Sequence, residues 1–188
     1  MNKTQPSFLN IPIKKNWQRI GLSPKAGSIT PISFLRSKNS LGIGDFADFI
    51  SYLDLAKKRG ETIVQILPIN DSGPQNLWPY SAISGFALNP VYLSIDLLYQ
   101  KYQALLPKDT KNKINLLLKK GQALEKHLLV NYPMSRKYKI QILDLIYVQL
   151  HQKLSSKLCK FKKENPWVLD FALYSAISEK YDLQNWQN

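Results

Sequence analysis

The chain is short of several residue types, and each shortage excludes something. Its 188 residues hold one cysteine, Cys159, so no internal disulfide can form. A lone thiol fits a reducing compartment, and a cytoplasmic location is expected. Between Leu158 and Lys160, with no Cys or His beside it, Cys159 reads as a packed thiol. The only histidines, His127 and His151, lie in Lys-rich stretches without metal-ligand spacing. They read as surface residues, and neither metal nor cofactor is expected. No run approaches about 18 consecutive apolar residues, which excludes a transmembrane helix. The opening MNKTQPSFLNIPIKK lacks the continuous apolar core of a secretory signal. Acidic residues are half as many as basic ones, 13 against 26, and only 4 of the 26 are Arg.

The formal charge of +13 therefore asks for an explanation. Residues 101–163 carry 15 Lys or Arg against Asp109, Glu125 and Asp144, a net of +12. Such a block can be an electrostatic footprint for nucleic acid. Lysine is the poorer fork for phosphates and guanine edges, and no nucleic-acid motif accompanies the charge. A solvated helical face accounts for it better, and no nucleic-acid or membrane partner is expected.

What is present is a hydrophobic fraction of 44% with 11% aromatics, the composition of a folded chain. A length of 188 residues allows one ordinary core but falls short of a complete (β/α)₈ barrel of about 200–250 residues. Residues 1–30 read as irregular, with Ile11, Ile13, Trp17 and Ile20 as anchors. Ser28 to Phe34 reads as a short strand interrupted by Pro31. Asp45 caps a helix whose apolar residues Phe46, Phe49, Ile50, Leu53 and Ala56 share one face, with Gly60 just past its end. The glycines at 42 and 44 read as the turn before that cap rather than a phosphate loop. Thr62 to Leu67 is β-branched and nearly all apolar, the pattern of a strand covered on both faces. A loop from Asn70 to Asn89 follows, long enough to be functional. Val91 to Leu97 alternates as a second strand would. Beyond it the chain turns helical, with starts at Pro107, a break at Asn131-Tyr132-Pro133, one long helix over 137–163, and a last amphipathic helix from Trp167 to Tyr181.

Four pieces occur in order around the loop: Gly42-Ile43-Gly44-Asp45, Gln65-Ile66-Leu67-Pro68, Pro79-Tyr80-Ser81 and Ser84-Gly85-Phe86-Ala87-Leu88-Asn89-Pro90. With this order and spacing the segment resembles the N-terminal part of amylomaltases, the 4-α-glucanotransferases of the α-amylase superfamily. Trp167-Val168-Leu169-Asp170-Phe171-Ala172-Leu173-Tyr174 resembles a later stretch of the same family, and Asn185-Trp186 the turn after it. Val64 and Trp78 depart from the family's usual Trp and Ser. The resemblance implies an α/β fold: the N-terminal part of a TIM (β/α)₈ barrel, incomplete, followed by an inserted helical subdomain. Residues 1–98 would hold the first strands and helix with the sugar-site loop. Residues 99–188 would be part of the Lys-rich helical insertion.

The family transfers α-1,4-glucan segments between maltodextrins through a covalent glycosyl-enzyme, which needs two carboxyl groups about 5–5.5 Å apart. Its three functional carboxylates lie on later barrel strands, so no catalytic residue is expected here. Tyr80 would lie against a sugar ring, its flat face on the pyranose C–H face and its hydroxyl toward a sugar oxygen. Trp78 extends that platform or packs under the loop. Asp71 either hydrogen-bonds a sugar or closes an Asx-type turn with Ser72 and Gly73. Asn89 shapes the loop or contacts a sugar. The leading expectation is a fragment of such a transferase, inactive alone, with maltodextrins as partners and a complementary C-terminal chain as a further candidate. A non-catalytic glucan-binding remnant is the alternative, and a polyanion-binding module a further one.

Overall fold

The computed structural model describes residues 14–21, 23–74 and 78–181. The expected anchors Ile11 and Ile13, the Trp17 side chain and the Asn185-Trp186 turn lie outside the described residues. A short helix α1 (Lys14–Ile20) leads to strand β1 (Gly27–Thr30). Ile20 is half exposed rather than anchored. Pro31 lacks the N–H that would continue β1, and the chain folds into a 3₁₀ turn, Ile32–Phe34, with Ile32 buried.

Helix α2 (Phe46–Lys58) begins as its sequence dictates. The Ala47 N–H donates to Asp45 Oδ1 at 2.9 Å, and the Asp45 N–H donates to Asp48 Oδ2 at 3.0 Å. Two orphan donors are thus satisfied in a capping box. Gly60, with φ of +78°, turns the chain away. Strand β2 (Ile63–Ile66) then pairs parallel to β1, with Gly27 opposite Ile63. The expectation of a strand covered on both faces is corrected here. Ile63 is 49% and Ile29 66% exposed, because β1 and β2 form a two-stranded sheet among the described residues and only Ile66 reaches the core. The same holds for α2, where Phe46 and Phe49 pack inward but Ile50 and Leu53 remain exposed.

The alternating stretch after Pro90 is not a second strand. It forms a 3₁₀ turn, Pro90–Tyr92, and helix α3 (Ile95–Tyr102). Three local features override the alternation: Asn89 Oδ1 accepts the Val91 N–H, Pro90 fixes φ at the first turn position, and Asp96 favours a helix start. Helix α4 (Lys108–Ala123) starts after Pro107 as expected, and Asn131 caps α5 (Tyr132–Leu150). The helix expected over 137–163 is two, α5 and α6 (Ser155–Glu164). At the break, His151 Nδ1 lies 3.1 Å from the Val148 carbonyl, which a continuing helix would give to backbone. Helix α7 (Trp167–Lys180) completes the described chain. Cys159 is exposed, correcting the packed thiol, and the nearest turn of α6 carries no buried residue.

Two apolar clusters form the core. One joins Ile32, Ile43, Val91, Tyr92 and Tyr132 beneath the sheet. The other joins Leu41, Ile95, Leu106, Ile114, Ile142, Ile146 and Leu150 among α3, α4 and α5. Helix α5 serves both, so it ties the helical part to the strand-and-loop part. Among the described residues no helix is long and apolar enough to cross a membrane.

Candidate functional site

The loop after β2 is closed at its neck by backbone. The Asp71 N–H donates to the Ala87 carbonyl at 2.9 Å and the Asn89 N–H to the Ile69 carbonyl at 2.9 Å, around an antiparallel bridge between Asn70 and Leu88. The Ile83 N–H donates to the Asp71 carbonyl at 2.8 Å, folding the far arm back. Beyond this neck stand Trp78 and Tyr80, 62% and 67% exposed, edge to face with ring centroids 6.1 Å apart. The two exposed rings stand at 63° to one another, so each offers its own apolar face, and Tyr80 adds a phenol hydroxyl.

Asp71 and Asn89 are placed differently. Both are buried. Asp71 Oδ1 accepts the Gly73 N–H at 3.0 Å, the Asx-type contact, and the Arg136 guanidinium pairs with both carboxylate oxygens at 3.0 and 3.3 Å. The same Nη1 donates to Asn89 Oδ1 at 3.0 Å. Asn89 Nδ2 donates to the Tyr132 hydroxyl, which donates to the Gly73 carbonyl at 2.6 Å. Tyr132 and Arg136, one turn apart on α5, thus hold both strands of the loop neck. A cavity of about 480 Å³ opens beside this cluster, between Asp71–Pro74, α5 and α7, with Ile83, Ile140 and Tyr174 among its walls. Trp78 and Tyr80 do not line it.

One turn further along α5, Lys139 is fully buried. Its Nζ donates to the Val91 and Leu93 carbonyls at 2.6 and 3.1 Å and pairs with Asp45 Oδ2 at 3.3 Å. Burial pushes Lys139 below the usual lysine range and Asp45 above the usual carboxylate range; the ion pair offsets this only in part. Most lysines of 101–163 are exposed, as a solvated face requires, but Arg136 and Lys139 belong to the interior. Sequence reasoning missed Tyr132, Arg136 and Lys139 because they sit inside a basic block. The available signal was their spacing of four and three residues, which places them on one helical face that also carries Ile142 and Ile146.

The buried Asp48 and the half-buried Glu125 are likewise engaged. Asp48 accepts from the Ser40 hydroxyl at 2.8 Å besides the Asp45 N–H, and Glu125 accepts the Gly42 N–H and faces Arg36. Burial raises Glu125 above the usual range, with the Gly42 N–H and Arg36 opposing. Among the described residues no group of three or more His, Cys, Asp or Glu is placed to hold a metal. His127 is exposed and His151 half-buried.

The two stretches that carry the family resemblance meet in space. Phe86 of the loop stacks on Trp167 at the start of α7, with centroids 5.7 Å apart and planes 22° apart. A family model described as 4-alpha-glucanotransferase matches residues 30–188. A 4-alpha-glucanotransferase of Chlamydia caviae is 35% identical over 179 residues, covering 93% of this chain and 32% of the relative. One of Chlamydia muridarum is 34% identical, covering 90% and 32%, and one of Clostridium butyricum 29% identical, covering 78% and 28%. The chain thus spans about a third of the length of the curated relatives it matches. Its motifs, their contact across the loop and the extent of these matches agree: the chain belongs to the 4-alpha-glucanotransferase family.

Proposed function

We propose that this chain supplies one wall of an α-1,4-glucan site in a retaining 4-α-glucanotransferase and lacks the acids that break the glycosidic bond. Tyr80 lies against a sugar ring beside the cleavage point and Trp78 extends the surface. The observation that carries this is the exposed Trp78–Tyr80 pair beyond a loop neck closed by backbone and side chains. Asp71 and Asn89, with their side-chain oxygens taken up by Arg136 and backbone, act as scaffold rather than as sugar ligands. The retaining reaction needs two carboxyl groups about 5–5.5 Å apart and free to reach sugar. The buried acids of this chain are consumed by caps and ion pairs, which supports placing the catalytic pair elsewhere.

On this reading residues 1–98 correspond to the opening of a (β/α)₈ barrel and residues 99–188 to a helical insertion. Apolar strand residues Ile29 and Ile63 left open to solvent support further strands, in the same or a complementary chain. A single thiol fits a cytoplasmic setting. The test is titration with maltoheptaose. Saturable binding weakened about tenfold or more in Tyr80→Ala, roughly 1.4 kcal/mol, is the expected result. Equal binding by the variant would remove Tyr80 from the site.

A further inference from the structure

The polar cluster at the loop neck has a geometry that packing alone does not require. Helix α5 presents Tyr132 and Arg136 to two segments separated by 15 residues, Asp71–Gly73 and Asn89. Arg136 uses one nitrogen for both: Nη1 reaches Asp71 Oδ1 and Asn89 Oδ1 at 3.0 Å each. Its second nitrogen completes a forked pair with the Asp71 carboxylate, a geometry a lysine cannot copy. Tyr132 repeats the arrangement, accepting from Asn89 and donating to the Gly73 carbonyl. The outgoing and returning strands of the neck are therefore each bonded to the same two side chains. Trp78 and Tyr80 lie on the loop that this neck closes.

We propose that Arg136 and Tyr132 are positioning residues for glucan binding: they latch the loop neck to α5 and thereby hold the aromatic platform in its binding arrangement. Neither side chain touches the sugar. The inference rests on the glucan reading above for its consequence, but the latch is a physical claim of its own. Loss of the fork frees the two strands of the neck to separate. The backbone bonds that close it, from Asp71, Ile83 and Asn89, then open more often, and binding weakens because the platform must be reordered first.

The experiment combines maltoheptaose titration with amide hydrogen exchange on the full 188-residue chain. Arg136→Lys keeps the charge beside Asp71 and loses the fork, whereas Tyr132→Phe keeps the ring in the core and loses only the hydroxyl. We expect each to weaken maltoheptaose binding about tenfold and to speed exchange at Asp71, Ile83 and Asn89, with helix α4 protected as in the wild type. Tyr80→Ala should weaken binding about tenfold or more without changing exchange at those three amides. Wild-type exchange at the neck in both latch variants would overturn the proposal. Faster exchange with undiminished binding would overturn its link to the platform. If the wild type binds no maltoheptaose, the glucan reading fails, and exchange alone then decides the latch.

Discussion

Lys139 shows most plainly how the fold is held at the level of single residues. Its ammonium is out of water and donates to three oxygens, Asp45 Oδ2 and the carbonyls of Val91 in the turn Pro90–Tyr92 and of Leu93 just after it. Removing one member of a buried pair leaves the other uncompensated. Lys139→Met should lower stability by about 3 kcal/mol in urea titrations at pH 7. The pH dependence has a defined sign. The unfolded chain returns Lys139 to its ordinary 10.5, while burial lowers it in the folded protein. Between those values the unfolded state binds more protons, so stability rises with pH across that window and is lost as pH falls through the folded value. Asp45 acts oppositely in acid: its contribution is full below its ordinary 3.8 and is lost as pH rises through the raised folded value. Urea midpoints between pH 7 and 10 should climb more steeply in the wild type than in Lys139→Met, by at most about 1.4 kcal/mol per pH unit. Equal slopes would mean that the buried amine does not titrate early.

Elements were legible in the sequence where a local rule decided them and illegible where a distant residue did. Asp45, Gly60 and Pro107 marked helix ends correctly, because caps and breakers act within a few residues, whereas Asn131-Tyr132-Pro133 read as a break and is the cap and first turn of α5. The segment after Pro90 was misread because alternation outweighed Asn89 and Pro90, and because Lys139, 48 residues away from Val91, takes the carbonyl a strand would have used. The break at His151 carries neither Gly nor Pro, so nothing in the sequence announced it. At the candidate site, Trp78 and Tyr80 are expectations from motif context, whereas Arg136 and Tyr132 were hidden because their partners lie across the fold. The turn before α2 illustrates an element fixed by contact. Gly42 has φ of +79°, and a Cβ there would meet Leu124 Cβ at 2.6 Å and Ser135 Oγ at 2.7 Å. Gly42→Ala combines a left-handed backbone with overpacking and should cost about 3 kcal/mol by chemical denaturation. A loss below about 1 kcal/mol would show that α5 and the turn yield easily.

For the whole molecule, the distribution of apolar surface matters as much as the core. Ile29 and Ile63 on the sheet, and Leu169, Leu173 and Ile177 along α7, are each about half exposed or more. Three apolar residues four apart on one helix form a stripe, and parallel strands ordinarily have both faces covered. The isolated chain should therefore self-associate at micromolar concentration, and the pair Leu173→Glu with Ile29→Lys should shift it toward monomer in light scattering. A wild type monomeric at those concentrations would contradict this. On the proposed reading the chain is a sugar-contact wall without its catalytic partner, and such a wall should bind but not transfer. Saturation-transfer NMR of maltotriose incubated with the purified chain tests both halves at once. A non-catalytic sugar wall gives saturation of the sugar-ring protons while maltotriose persists unchanged; free glucose with longer maltodextrins, or no transfer of saturation to the sugar, would contradict it.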